Sequence, residues 1–253
     1  MVKCVFFAHD NQMTRLRRRI LHTSDVHLDD WVRPAGEESP AQVGLMNVVA
    51  ASLHHQVDLL VIAGDLFDHN RVGEACLEFV RQQLARVSCP VVVIPGNHDC
   101  FTDQCIYHRF DLSCIGRDIH LLSEENGQTL DLHDLQMRIW GRGIVDHHPD
   151  NHPLEEVPAR QGDYWHIGVT HGYYVGRGAD MYSSLITADE IDAADVDYLA
   201  LGHVHTFADV SHGNTCAAYS GSPTSHPHIP GGTAALATLD PDSGVHVEAV
   251  RVD

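Results

Sequence analysis

At 253 residues, with 43% hydrophobic and 20% charged side chains, the chain is long enough to bury a full core and has a globular composition. No apolar run approaches the roughly 18–20 residues of a membrane span. The N-terminal stretch MVKCVFFAHDNQMTRLRRR has its arginines after a short apolar piece, the wrong order for a signal peptide, so a cytoplasmic protein is expected. The net charge of −19 becomes −23 once residues 1–19, with a balance of +4, are set aside, and so acidic a body repels polyanions unless bound cations reverse the field.

In chain order, residues 1–19 read as an N-terminal extension without fixed structure, and 20–253 as one domain. RILHTSD (19–25) reads as a strand running into a turn. Apolar residues at Val43, Met46, Val49, Ala50 and Leu53 have helical spacing and predict a helix over 41–56. VDLLVIAGD (57–65) is a continuous apolar run, as in a strand buried on both faces. A second helix is predicted over 73–87, with Ala75, Phe79 and Leu84 inward, and PVVVIPGNHD follows as another strand.

This β-α-β-α-β order argues for an α/β fold with a largely parallel sheet. Short strands are expected at 118–124, 127–134 and 135–142. The polar, Pro-rich stretch 146–164 reads as a loop placed as a lid over the strand ends. WHIGVTHG (165–172) is a strand. Thr187 with Glu190 makes a capping box for a helix over 188–194, and VDYLALGHVH (196–205) is a strand again. The tail reads as strands of a hairpin closing around Pro241-Asp242-Ser243-Gly244.

The strand ends share a feature. Asp25 and His27, then Asp65, then Asn97 and His98, then His171, then His203 and His205 each follow an apolar run. In an α/β sheet the carboxyl ends of parallel strands lie along one edge, where ligands bind. Singly, an Asp there caps the next helix and a His is an ordinary core or surface residue. Together they are nitrogen and oxygen donors without sulfur, a set suited to Mn²⁺, Fe or Zn²⁺. Their number exceeds one tetrahedral ion and fits two ions sharing a carboxylate. In Asp25-x-His27 and His203-x-His205 the i, i+2 spacing points both members the same way if the backbone is extended. The seven cysteines contain no C-x-x-C pair and are expected to be reduced, Cys100 and Cys105 beside the Asn97 loop included. Of the 21 histidines, His69 is a candidate substrate contact, and His226 and His228 are expected in a surface loop.

Asp25-Val-His27, Gly64-Asp65, Gly96-Asn97-His98-Asp99, His171-Gly172 and Gly202-His203-Val-His205 stand in the order of the D-x-H, G-D, G-N-H-[DE], H-G and G-H-x-H motifs. The chain therefore resembles the calcineurin-like metallophosphoesterase superfamily. LHTSDVHLDD, DLLVIAGDLFDHNRV, YLALGHVH and YSGSPTS resemble its SbcD/Mre11-like DNA-repair exonuclease branch. The resemblance implies a two-sheet β-sandwich flanked by helices, a four-layer αββα arrangement, with metals at the strand ends.

It also implies a first metal on Asp25, His27, Asp65 and His205 and a second on Asp65, Asn97, His171 and His203, Asp65 bridging. His98 is then free to stabilise the reacting phosphate or protonate the leaving oxygen. Asp99 either orients His98 or caps its own loop. The implied activity is two-metal hydrolysis of phosphate esters with Mn²⁺, or with Fe or Zn²⁺, on short or single-stranded nucleic acid. A phosphomonoesterase or small-molecule phosphodiesterase is the alternative, and a non-catalytic scaffold on the same fold is a third reading. The branch carries a DNA-binding cap and a segment for a Rad50-like ATPase; this chain stops at Asp253, so neither feature is expected.

Overall fold

A computed structural model describes residues 15–30, 37–146, 148, 151–175, 184–224 and 231–252. The first sheet has the parallel run β1 (Arg18–Thr23), β2 (Leu59–Ala63), β3 (Val91–Ile94) and β4 (Ile119–Leu121). The second is built around parallel β6 (Met137–Arg142), β7 (Trp165–His171), β10 (Tyr198–Gly202) and β12 (Cys216–Ser220). Antiparallel strands flank both runs. In the first sheet these are β13 (Thr233–Asp240) beside β1 and β14 (Gly244–Arg251) beyond it. In the second they are β5 (Gln128–Leu132) and β11 (Phe207–Asp209) at the two edges. A separate parallel pair, β8 (Tyr173–Tyr174) and β9 (Leu185–Ile186), follows β7.

Alternation along the strands sets the layers. Leu60 and Ile62 of β2 face one core while Leu59, Val61 and Ala63 face another. The second core lies between the sheets, where Ile20, Val92 and Ile94 meet Ile139, Ile167, Val169 and Ala200. Outside the first sheet, α1 (Pro40–His54) and α2 (Glu74–Leu84) cover the first core. Outside the second, Ile191 of α3 (Ala188–Ala193) packs with Leu154, Leu199 and Leu201. The expected αββα sandwich is the observed architecture, and both sheets are mixed rather than wholly parallel.

The helix starts follow local chemistry. Ser39 and Gln42 form a reciprocal capping box with Pro40 in the first turn of α1, and Thr187 and Glu190 do the same for α3. Packing sets the inward faces, and in α2 it bears out Leu84 but not Ala75. In α1 the buried residues are Ala41, Gly44, Leu45, Val48, Val49 and Ser52, while Val43 and Leu53 are exposed. The helix is apolar on several sides and has no Asp, Glu, Lys or Arg, so spacing alone does not choose its face. Gly44 chooses it: a Cβ there would lie 3.0 Å from Thr224 Oγ1 and 3.1 Å from the Pro223 backbone. In α2 the inward residues are Cys76, Leu77, Val80, Gln83 and Leu84, so Ala75 is outside and Phe79 only partly buried.

Two further expectations change. Residues 1–14 lie outside the described residues, but 15–19 belong to the sandwich. Arg18 and Arg19 open β1, and Arg15 pairs with Asp197 at 3.2 Å. Arg18 reaches Asp58 at 3.3 Å and the Leu135 carbonyl at 3.0 Å. The described part of the loop over 146–164 lines the outer face of the second sheet. Leu154 is buried there, and Arg142 donates to the carbonyls of His152 at 2.8 Å and Glu155 at 3.2 Å. Among the described residues no helix is long and apolar enough to cross a membrane.

Candidate metal centre

The parallel strands of both sheets end on one side of the sandwich, and the polar residues following them meet there. Tight turns allow the approach. Gly202 packs so closely on the first sheet that a Cβ would lie 1.8 Å from the Ala63 carbonyl oxygen, and one at Gly96 would lie 2.2 Å from Asp65 Oδ1. Four ligand candidates, Asp25, His27, Asp65 and His203, hold positive φ of 55°, 56°, 53° and 106°, a region costly for side chains other than glycine. Asp25 and His27 therefore converge through a left-handed turn, not through the extended backbone expected from their spacing.

All seven expected ligands form one connected cluster. His27 Nε2 lies 3.2 Å from His205 Nε2, which is 3.6 Å from Asp25 Oδ1. Asp65 Oδ2 faces both sides, 3.9 Å from His27 Nε2 and 3.4 Å from His171 Nε2. His171 Nε2 and His203 Nδ1 each lie 3.0 Å from Asn97 Oδ1. Ligand atoms of Asp25, His27 and His205 lie within 4.8 Å of one another, as do those of Asp25, Asp65 and His171.

The surrounding bonds aim these groups. His171 Nδ1 is 2.9 Å from the Ala63 carbonyl, which leaves Nε2 for the centre. Asp25 Oδ2 accepts the His203 N–H at 3.0 Å and the Ser24 hydroxyl, while Oδ1 is buried without a hydrogen-bond partner. Asp65 Oδ1 accepts the His98 N–H at 2.8 Å, leaving Oδ2 inward. An orphaned buried carboxylate oxygen beside converging imidazoles fits a divalent cation.

Electrostatics agree with that fit. Burial favours neutral Asp65, but His171 and His27 outweigh it and hold the carboxyl well below its ordinary range. Burial likewise opposes a charge on His171, yet Asp65 raises its pKa to about 9. His27 and His203 are shifted down, mainly by burial. A proton on His171 thus supplies positive charge where a cation would do so, and metal binding would displace it.

His98 lies outside this inner cluster, half-exposed, its ring 4.5 Å from that of His27. Its Nδ1 is 2.9 Å from the Asp68 carbonyl and 3.3 Å from Asp68 Oδ1. Asp68 Oδ1 is also 3.3 Å from His27 Nδ1, so one carboxylate faces both imidazoles. Sequence reasoning missed Asp68 and singled out its neighbour. His69 turns to its own loop, with Nδ1 accepting the Arg71 N–H at 3.2 Å. The available signal was a second carboxylate three residues after Asp65, which spacing alone does not rank above His69.

Of the alternatives for Asp99, the structure favours the loop cap and corrects its placement among catalytic residues. Fully buried, Asp99 accepts from the backbone N–H groups of Gly96 (2.7 Å), Asp65 (3.2 Å), Leu66 (3.0 Å) and Phe67 (3.3 Å). The Tyr107 hydroxyl donates to it at 2.6 Å. Burial and the nearby Asp65 raise its pKa to about 6 against those bonds. It clamps the Asp65 and Asn97 loops together. Cys100 and Cys105 are buried thiols, pushed up by burial to about 12 and 11. His226 and His228 lie outside the described residues.

Known proteins resemble the chain in sequence and fold. It is 26% identical over 255 residues to the SbcD component of the nuclease SbcCD of Bacillus subtilis, covering 87% of this chain and 65% of that protein. It is 28% identical over 224 residues to the uncharacterized metallophosphoesterase YhaO of the same organism, covering 80% and 52%. The chain thus spans between half and two thirds of the length of these two relatives. Among solved structures, TT1561 of Thermus thermophilus superposes with a TM-score of 0.61 at 15% identity, covering 94% of this chain and all of that one. An archaeal phosphodiesterase superposes with a TM-score of 0.52 at 12% identity, covering 92% and 99%. Both structures share the fold described above. The calcineurin-like phosphoesterase profile matches residues 18–207, from the start of β1 through the last of the converging histidines. The chain belongs to the calcineurin-like phosphoesterase family.

Proposed function

We propose that the chain is a two-metal phosphodiesterase acting on short or single-stranded nucleic acid. The observation that carries this reading is the position of Asp65 Oδ2, between His27 on one side and His171 on the other. Asp25, His27, Asp65 and His205 would hold one cation, and Asp65, Asn97, His171 and His203 the other. Mn²⁺ suits this oxygen and imidazole set, with Fe or Zn²⁺ as alternatives. Bound there, the cations would neutralise the phosphoryl oxygens and activate water as the nucleophile.

The chain's own groups do the rest. Asp68, beside His98 Nδ1, fixes the tautomer and leaves Nε2 toward the substrate side. His98 Nε2 protonates the leaving oxygen or hydrogen-bonds a phosphoryl oxygen. Asp99 acts indirectly, keeping the Asp65 and Asn97 loops in register.

The polynucleotide substrate rests on similarity to the SbcD component of a nuclease. The net charge of −19 favours a second reading, a phosphomonoesterase or a phosphodiesterase for small molecules. Purified protein with Mn²⁺ is expected to hydrolyse bis-p-nitrophenyl phosphate faster than p-nitrophenyl phosphate, and a short oligonucleotide faster than a mononucleotide. Preference for the two monoesters would establish a phosphomonoesterase, and cleavage of bis-p-nitrophenyl phosphate with the oligonucleotide left intact a small-molecule phosphodiesterase. Inactivity on all four with Mn²⁺, Fe²⁺ and Zn²⁺ would overturn both.

A further inference from the structure

The YSGSPTS stretch is the remaining motif of the sequence without a role in the chemistry above. Its described part runs from the end of β12 beneath the turn that carries Asp25 and His27. Ser222 Oγ donates to the Asp25 carbonyl at 2.6 Å, and Thr224 Oγ1 donates to the Val26 carbonyl at 3.0 Å. Ser222 Oγ in turn accepts the Thr224 N–H at 3.1 Å, and the Ser222 N–H donates to the His205 carbonyl at 3.1 Å. Ser220 Oγ lies 3.0 Å from Ser24 Oγ, which donates to Asp25 Oδ2. Ser24, Ser220, Ser222 and Thr224 are all buried.

Two of these bonds act on a backbone that needs restraint. Residues 25 and 27 hold φ of 55° and 56°, a conformation that side chains adopt only where surroundings impose it. Relaxing that turn would rotate the Asp25 carboxylate and the His27 imidazole away from each other. Two buried hydroxyls grip the carbonyls of residues 25 and 26, at the first strained position and between the two.

We propose that Ser222 and Thr224 are positioning residues of the metal centre. Their hydroxyls set the affinity of the Asp25, His27 and His205 site by holding the left-handed turn in the shape that aims Asp25 and His27 at one point. This rests on the two-metal reading above. Both hydroxyls bond backbone carbonyls.

The test is Mn²⁺ affinity, measured by calorimetric titration of metal-stripped folded protein. Thr224→Val keeps the side-chain shape and removes the hydroxyl. Thr224→Ser keeps the hydroxyl. Ser222→Ala is a second removal should Thr224→Val fail to fold. Ser52→Ala is the control, since Ser52 Oγ makes an equivalent buried bond to the Val49 carbonyl at 2.7 Å within α1, remote from the ligands in sequence and layer.

Removing either hydroxyl is expected to weaken Mn²⁺ binding at one of the two sites by about tenfold, the scale of losses around metal ligands. Thr224→Ser is expected to restore the affinity, and Ser52→Ala to leave it at the wild-type value. Wild-type affinity in every folded variant lacking one of these hydroxyls would overturn the inference, and so would an equal loss in Ser52→Ala. A wild-type protein that binds no Mn²⁺ would instead overturn the two-metal reading on which the inference stands.

Discussion

The two ends of the sandwich are both polar, and they are built in opposite ways. At the ends where the parallel strands begin, charges meet their partners. Asp197 takes Arg160 at 2.9 Å, Arg15 at 3.2 Å and the His166 N–H at 2.8 Å, and Asp58 takes Arg18 and the Arg19 N–H. A cleft of about 420 Å³ opens there among Arg17, Arg18, Arg19, Gln56 and Asp58, but Arg18 and Asp58 within it are already joined. At the ends where the strands finish, backbone is strained at Asp25, His27, Asp65 and His203, and Asp25 Oδ1 has no hydrogen-bond partner. Positive φ occurs at the beginning ends too, at Gln56, Gln136 and Asp195, and His166 Nδ1 there is also without a hydrogen-bond partner. What sets the finishing ends apart is an orphaned buried carboxylate oxygen among converging imidazoles.

Substitutions at either end put this contrast at risk. The largest effect is expected for Asp65→Asn, which should abolish turnover and Mn²⁺ binding while far-UV circular dichroism stays native. Next comes His98→Ala, expected to lower turnover by roughly 10²–10⁴-fold, the usual worth of a positioned acid, with Mn²⁺ affinity retained. Loss of metal in that variant would mean His98 is a ligand. At the other end, Asp197→Asn should leave turnover and metal affinity unchanged and cost about 1–3 kcal/mol in urea unfolding, since it breaks several part-buried charge-assisted bonds. Lost turnover in that folded variant would erase the distinction between the two ends.

A smaller effect belongs to His22, buried between the sheets with Nδ1 3.0 Å from the Tyr198 hydroxyl. Burial lowers its pKa from 6.5 to about 3. The unfolded chain therefore binds this proton more readily, so the contribution is full above pH 6.5 and is lost as pH falls toward 3. Unfolding free energy should fall across that window with a slope from this group approaching roughly 1.4 kcal/mol per pH unit. In His22→Gln the slope should be visibly shallower; an unchanged slope would show that His22 does not govern acid stability. Smallest of all is Arg17→Ala. Arg17 is exposed and no closer than 3.6 Å to Asp240. Its loss is expected to cost less than about 0.5 kcal/mol in the same unfolding measurement.

Much of this was legible because the chain repeats one pattern: an apolar run, a turn, then a donor. Burial of β2 on both faces made VDLLVIAGD unambiguous, and the capping box at Thr187 announced α3. What escaped was set by tertiary packing. The inward face of α1 depends on Gly44 meeting Pro223 and Thr224, residues from the far end of the chain. Asp68 and His69 are adjacent, and only the folded loop shows that Asp68 faces His27 and His98. The spacing of Asp25 and His27 foretold convergence but not the left-handed turn that produces it. Asp99 next to His98 suggested a pair, yet in the fold its oxygens are taken by backbone donors from two loops and by Tyr107.

If two cations held together at the strand ends make this chain a phosphodiesterase, activity must follow metal occupancy. Metal-stripped protein can be titrated with Mn²⁺ while bis-p-nitrophenyl phosphate hydrolysis is followed. Turnover should rise until two Mn²⁺ are bound per chain and then level off. Activity that saturates with a single bound ion, or that never appears while both sites fill, would contradict the two-metal reading.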